Sequence, residues 1–305
     1  MRIHTARLTA GLLFACALTA ANLSNAASPT TAPTASTASS LEAEQEAAFK
    51  AAKAVQKAGP ADITLRDQAH LKLPAGYVWV PTPAAAQLMR SMGNRTDDTF
   101  IGAIFPADDG DWMAVVKFVK EGYIKDDDAK DWNADELLTS LKEGTEAANE
   151  ERAKRGIPGI EVTGWAQKPQ YDAATHRLVW SALSKKKGSD GGDPGVNYNT
   201  YALGREGYLS LNLITNANDL EKYKPDATKL LGALQYDDGK KYADFNASTD
   251  KVAAYGLAAL VAGAAAKKLG LFAVALAFLA KFAKVAVVAG GAALWGLTKL
   301  FKKKS

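Results

Sequence analysis

Hydrophobic and polar positions divide the chain into a strand-rich body and an apolar end. Residues 63–73 and 77–80 are apolar-rich runs joined across Pro74, Ala75 and Gly76, which predicts a hairpin. Thr82 and Pro83 start a short helix that stops at Gly93. Residues 99–105 and 112–119 alternate apolar and polar side chains around the turn Asp108-Asp109-Gly110-Asp111, a second hairpin. Asn133 and Glu136 form a capping box for a helix from Ala134 to about Arg155, ended by Gly156 and Pro158. Strands follow at 160–167 and 177–183, then a mobile Lys- and Gly-rich loop over 185–195. Residues 198–203 and 208–214 pair around Gly204-Arg205-Glu206-Gly207, and 218–223 and 227–234 read as short helices. Successive hairpins with helices inserted between them define an α+β class built on an antiparallel sheet.

The last segment, 251–305, contains no acidic residue. Its apolar runs, 252–266, 269–280 and 285–298, are separated by Lys267 and Lys268 and then by Lys281 and Lys284, and Lys302, Lys303 and Lys304 close it. A spanning helix needs about 20 apolar residues, more than any single run supplies. A crossing over 269–297 carries Lys281 and Lys284 inward at about 2.5–3.5 kcal/mol each, opposed by about 0.3–0.6 kcal/mol for each Leu, Phe or Val. Two other arrangements fit the same pattern. A lysine stripe can let the helix lie in the headgroup plane, or an apolar helical hairpin can dock on its own domain. Gly256, Gly263 and Gly270 recur every seven residues, a spacing that permits close helix packing and self-association.

Residues 1–26 have the form of a secretory signal: Arg2 and Arg7, an apolar stretch over 8–21, and Ser24-Asn25-Ala26 as the cleavage pattern. Cleavage after Ala26 removes Cys16, the only cysteine, and with it disulfides, thiolate catalysis and cysteine–zinc sites. Residues 27–60 are a Ser/Thr/Ala/Pro linker followed by a helix that opens at the Ser39–Glu42 capping box and runs to about Ala58. The body is then a domain over 61–250, and the tail is 251–305.

Charge changes what the domain can bind. Of 37 basic residues, two lie in the leader and nine from Lys251 onward, leaving 26 against all 33 acids, a net charge of −7. Phosphate backbones need a basic face, so no nucleic-acid role is expected.

Asp126, Asp127, Asp128 and Asp131 form the densest candidate site; such carboxylates can hold a hard cation. The EF-hand spacing fails, and acids ahead of a helix also complement its dipole. His176, between Asp172 and Trp180, is a candidate general base, although no nucleophile elbow is present. Arg205 is a candidate ligand contact in a hairpin turn. Trp112, Trp132, Trp165, Trp180, Tyr198 and Tyr201 suit core packing or a groove for a peptide or glycan. With no phosphate loop, dinucleotide fingerprint or HExxH motif, no cofactor is expected.

Several motifs occur together. They are the Gly-Tyr-Val-Trp-Val-Pro run from Gly76, Phe-Ile-Gly-Ala-Ile-Phe-Pro from Phe100, and Gly-Tyr-Ile-Lys-Asp-Asp-Asp-Ala from Gly122. Gly-Trp-Ala-Gln-Lys-Pro-Gln-Tyr-Asp from Gly164, His-Arg-Leu-Val-Trp from His176 and Asn-Tyr-Asn-Thr from Asn197 continue the series. Leu-Gly-Arg-Glu-Gly from Leu203, Tyr-Ala-Asp-Phe-Asn from Tyr242 and Asp-Lys-Val-Ala-Ala-Tyr-Gly from Asp250 complete it. Over residues 63–284 the chain resembles the bacterial membrane-anchored family known as domain of unknown function 2167. That resemblance implies a signal peptide, an envelope domain and a C-terminal anchor, with no catalytic residue carried over. The expectation is an envelope protein on the bacterial cell membrane, its domain on the periplasmic side. It would contact the bilayer through 252–301 and act as a non-enzymatic binding or structural module for another envelope protein. The alternative is an envelope hydrolase or metal-binding protein using residues 126–131 or His176.

Overall fold

The computed structural model describes residues 35–262, apart from 93, 95, 131, 155 and 190–193. The expected signal over residues 1–26, and the apolar sequence beyond Ala262 with Gly263, Gly270 and the expected crossing, lie outside the described residues.

In chain order the elements are α1 (Ala35–Val55), β1 (Lys57–Ala58), β2 (Ala61–Leu65), β3 (Ala69–Leu73), β4 (Tyr77–Pro81), α2 (Ala84–Ser91), β5 (Phe100–Pro106) and β6 (Met113–Val119). They continue with α3 (Ala134–Lys154), β7 (Ile160–Asp172), β8 (Arg177–Lys186), β9 (Gly195–Leu203), β10 (Tyr208–Asn216), α4 (Leu220–Gly232), β11 (Leu234–Tyr236) and α5 (Ala258–Ala262). An eight-stranded sheet runs β1-β4-β5-β6-β10-β9-β8-β7, and a smaller one runs β11-β3-β2. Every ladder between these strands is antiparallel. The fold is thus mixed α+β with helices inserted between hairpins.

Side-chain alternation assigns each face of the large sheet its own partners. On the first face Tyr198 and Ala202 of β9 lie opposite Leu213 and Leu209 of β10. They share one core with Leu65 and Leu71 of the small sheet and with Leu230 of α4. The second face is covered in two places. Ala48 and Ala52 of α1 and Leu88 and Met89 of α2 pack over Val80, Ala103 and Val115. Leu137 of α3 and Leu260 and Val261 of α5 pack with Leu178, Trp180 and Tyr201.

Four elements differ from the reading of the sequence. Residues 63–73 are two strands, β2 and β3, that pair with each other, whereas β4 joins the large sheet. Arg66 turns the chain at φ 59°, and the buried positions Ile63, Leu65, Ala69, Leu71 and Leu73 keep the same parity across that turn. Periodicity therefore ran through it unbroken. One continuous α4 replaces the two short helices around Pro225. The proline lies on the exposed side while Leu220, Tyr223, Ala227 and Leu230 are buried, so packing outweighs the hydrogen bond that the ring removes. The first helix begins earlier and ends at Val55, where Lys57 and Ala58 turn to pair with Trp79 and Val78 of β4. Finally, β8 runs through Lys186, so the start of the expected mobile loop is strand, and Lys185 pairs with Glu161.

Candidate functional site

Two of the sequence candidates, 50 residues apart, converge at the β7–β8 turn. Asp172 shapes this turn, its carboxylate accepting from the Ala174 amide (2.9 Å) and the Thr175 hydroxyl (2.6 Å). His176 leaves the turn at φ 52°, in the left-handed region, where a non-glycine residue carries a cost of about 1–2 kcal/mol. Its imidazole is put to use. The ring stacks on Tyr242 with centroids 4.1 Å apart, and Nδ1 lies 3.1 Å from the Tyr171 hydroxyl. Tyr171 donates its proton to Asp126 Oδ2 at 2.6 Å. A phenol has one proton to give, so the proton between His176 and Tyr171 belongs to Nδ1. The chain of donors reads imidazole, phenol, carboxylate, with the His176 and Asp126 side chains 31% and 27% exposed.

Burial first, and the Asp126 carboxylate second, hold the Tyr171 phenol far above the ordinary tyrosine range. Burial likewise keeps Tyr242 protonated, and its hydroxyl donates to the Ile124 carbonyl at 2.8 Å. Tyr123 extends the stack, 4.4 Å from Tyr242 and 3.9 Å from Phe245. Among the described residues no serine or threonine hydroxyl is hydrogen-bonded to His176. The cluster can hold and relay a proton, and it ties three chain segments together. Tyr171 and Tyr242 both lie within the family-like motifs, but nothing in their spacing marked them as partners of His176.

The other aspartates have separate fates. Asp128 caps a distant helix rather than α3: its carboxylate accepts from the amides of Leu257 (3.0 Å) and Ala258 (2.9 Å) at the start of α5. Asp127 is exposed and Asp131 lies outside the described residues. The cap of α3 is Asn133, whose Oδ1 accepts from the amides of Asp135 and Glu136. Among the described residues no group of three or more His, Cys, Asp or Glu side chains is arranged to hold a metal ion.

Arg205 is engaged within the domain. From the β9–β10 turn its guanidinium forks onto Asp250, Nε to Oδ2 at 2.6 Å and Nη2 to Oδ1 at 2.8 Å. That ion pair, with the Asn246 amide behind it (2.8 Å), holds the Asp250 carboxyl well below the carboxylate range. Next to it Glu206 pairs with Lys120 and Lys240.

The contacts of His176, Arg205 and Asp128 meet on one stretch, the chain from Tyr242 to Ala262. Tyr123 and Val252 form a parallel bridge, with amide–carbonyl distances of 2.8 Å to Lys251 and from Ala253. Leu257 and Val261 are fully buried, so the first part of the tail's opening apolar run is used in the domain's own core. Gly256 sits against the Asp128 carboxylate, where a Cβ would collide with it. Among the described residues no helix is long and apolar enough to cross a membrane.

The chain matches solved structures only weakly, at low identity and low overlap. These include PsbP from the cyanobacterium Synechocystis sp. PCC 6803, at 10% identity and TM-score 0.35, covering 60% of this chain and 91% of that one. A mutant of the protein Mog1 gives 10% identity and TM-score 0.29 over 57% and 94% of the two chains. A protein of unknown function from Pseudomonas aeruginosa gives 13% identity and TM-score 0.22 over 55% and 91%. No curated protein matches the chain. The family model described as protein of unknown function (DUF2167) matches residues 57–291, from β1 through every strand of the domain and into the apolar tail, and the chain belongs to that family.

Proposed function

We propose that this chain is an envelope protein held at the bacterial cell membrane by its apolar end, with the domain acting as a non-enzymatic binding module on the periplasmic side. The observation that carries the reading is the joint at the tail's root. Asp128, Arg205 and Tyr123 fix the chain from Asp250 to Ala258 onto the domain. The acid-free, lysine-punctuated sequence continues directly from there. A domain fixed to the first residues of its tail stays close to whatever receives that tail, which suits docking another envelope component. The excess of lysine in the tail's last residues favours a cytoplasmic end after one crossing.

Alkaline carbonate extraction of membranes carrying the full chain tests the anchor. Retention in the pellet supports it, and quantitative release removes the crossing. Protease added to spheroplasts reads the side: digestion of the domain supports periplasmic exposure, and protection contradicts it.

A second reading, an envelope hydrolase, draws on the convergence of His176, Tyr171 and Asp126. Loss of a cellular phenotype in His176→Gln, with folding preserved, would favour it over the binding module.

A further inference from the structure

His176, Tyr242, Tyr123 and Phe245 stack in one column, with successive ring centroids 4.1, 4.4 and 3.9 Å apart. Tyr242 is buried within the column, and Phe245 ends it half-buried at the surface. Beside that end runs the chain just ahead of α5. Tyr123 and Val252 are partners in a parallel bridge, which sets their side chains on the same side. Val252 is 40% exposed, one of two large apolar side chains so open among the described residues.

The polar positions follow the same alternation. Ile124 is fully buried, while Tyr123 and Lys125 on either side of it are turned outward. Lys251 and Ala254, next to Val252, are also exposed. Each of the two bridged segments therefore brings an ammonium group to the apolar patch. Of the acids in these segments, Asp126 accepts from Tyr171, Asp244 from the Lys241 amide and Asp250 from Arg205, which leaves Asp127 exposed.

We propose that this patch rests in the headgroup layer of the bilayer that holds the apolar end. The inference rests on the anchor proposed above. Val252 precedes Ala262 by ten residues, five of them in α5. At most about 25 Å of chain thus separates the patch from the last described residue. The acid-free apolar sequence runs on from there. With that sequence in lipid, the patch meets the surface as an intramolecular event and needs little affinity of its own. Tyrosine is favoured at the membrane–water interface, and lysine stems can lie along apolar ground while their ammonium groups reach phosphates. A protein partner would ask for more. Stable protein interfaces bury about 1,200–2,000 Å², beyond what Tyr123, Phe245 and Val252 supply.

Nitroxide labels test the contact on the full chain in a Cys16→Ser background, reconstituted into vesicles of equal parts phosphatidylethanolamine and phosphatidylglycerol. Labels go on Val252→Cys, on Ala254→Cys, and on Thr228→Cys in α4, across the large sheet from the patch. Collision of each label with oxygen and with a water-soluble nickel chelate is compared with that in lipid-free detergent. At 252 and 254 the vesicles should raise oxygen collision and remove most of the nickel collision, and 228 should change in neither. If Val252→Cys fails to fold, the exposed Ala254 site carries the comparison. Unchanged collision at 252 and 254 overturns the proposal, and if the protein still floats with the vesicles the anchor stands. Loss of both collisions also overturns it, because that reports protein contact. Failure to float overturns the patch and the anchor together.

Discussion

Asp128 and Leu257, 129 residues apart in sequence, are joined by a carboxylate–amide hydrogen bond of 3.0 Å. The same carboxylate also takes the Ala258 amide. It caps the first turn of α5 and so ties Leu257 and Ala258 to the segment that carries Asp128.

Asp128→Ala should therefore destabilise the domain by about 0.5–2 kcal/mol, the usual cost of losing an N-cap. Asp127→Ala, at an exposed neighbour on the same turn, should change stability by less than about 0.5 kcal/mol. Urea denaturation followed by tryptophan fluorescence compares the two. Equal effects would mean that the acidic run acts as a diffuse charge and not through one carboxylate.

Gly256 is the counterpart of that cap. At a helix start an alanine is ordinarily harmless, but here its Cβ would meet the Asp128 carboxylate. Gly256→Ala should cost about 1–3 kcal/mol through overpacking, and much less in an Asp128→Ala background. A double-mutant cycle checks the coupling, and additive effects would contradict it.

His176 sits at φ 52°, and its side chain offsets the conformation through Tyr242 and Tyr171. His176→Ala loses those contacts and keeps the strain, whereas His176→Gly loses the contacts and relieves it. The alanine variant should be the less stable of the two by about 1 kcal/mol. Thermal melts suffice, and the reverse order would remove the strain argument.

The Arg205–Asp250 pair sets a pH dependence whose sign follows from its direction. The folded-state pKa of Asp250 lies below its unfolded value, chiefly because of Arg205. The pair's contribution is fully present above the unfolded aspartate value of about 3.9 and is lost as pH falls through the lower folded value. Asp250→Asn should thus be less stable than the wild type at pH 7, with the gap shrinking in acid below about pH 4. Chemical denaturation of both proteins at several pH values measures it; a gap independent of pH would show that the ion pair contributes nothing.

Most of the secondary structure was legible because its signals are local. Asn133 and Glu136 marked α3, the turn from Asp108 to Asp111 marked the β5–β6 hairpin, and Gly204 to Gly207 marked β9–β10. The signal failed where a turn preserved parity, as at Arg66, and where burial carried a helix past Pro225. For the candidate site, the residue types at Asp126, His176 and Arg205 were visible, but their partners were not.

By itself the sequence determined an antiparallel α+β class, an acidic domain ahead of a lysine-punctuated apolar end, and membership of a family that its motifs already resembled. These follow from period, composition and charge, which are properties of neighbours along the chain. Only the tertiary structure decided that Asp128 caps α5, that Tyr171 links Asp126 to His176, and that Tyr123 meets Phe245 and Val252. Each is a contact between segments whose separation leaves no local trace. A hydrogen bond depends on angstrom-scale approach, and that approach is set by how the sheet and helices pack.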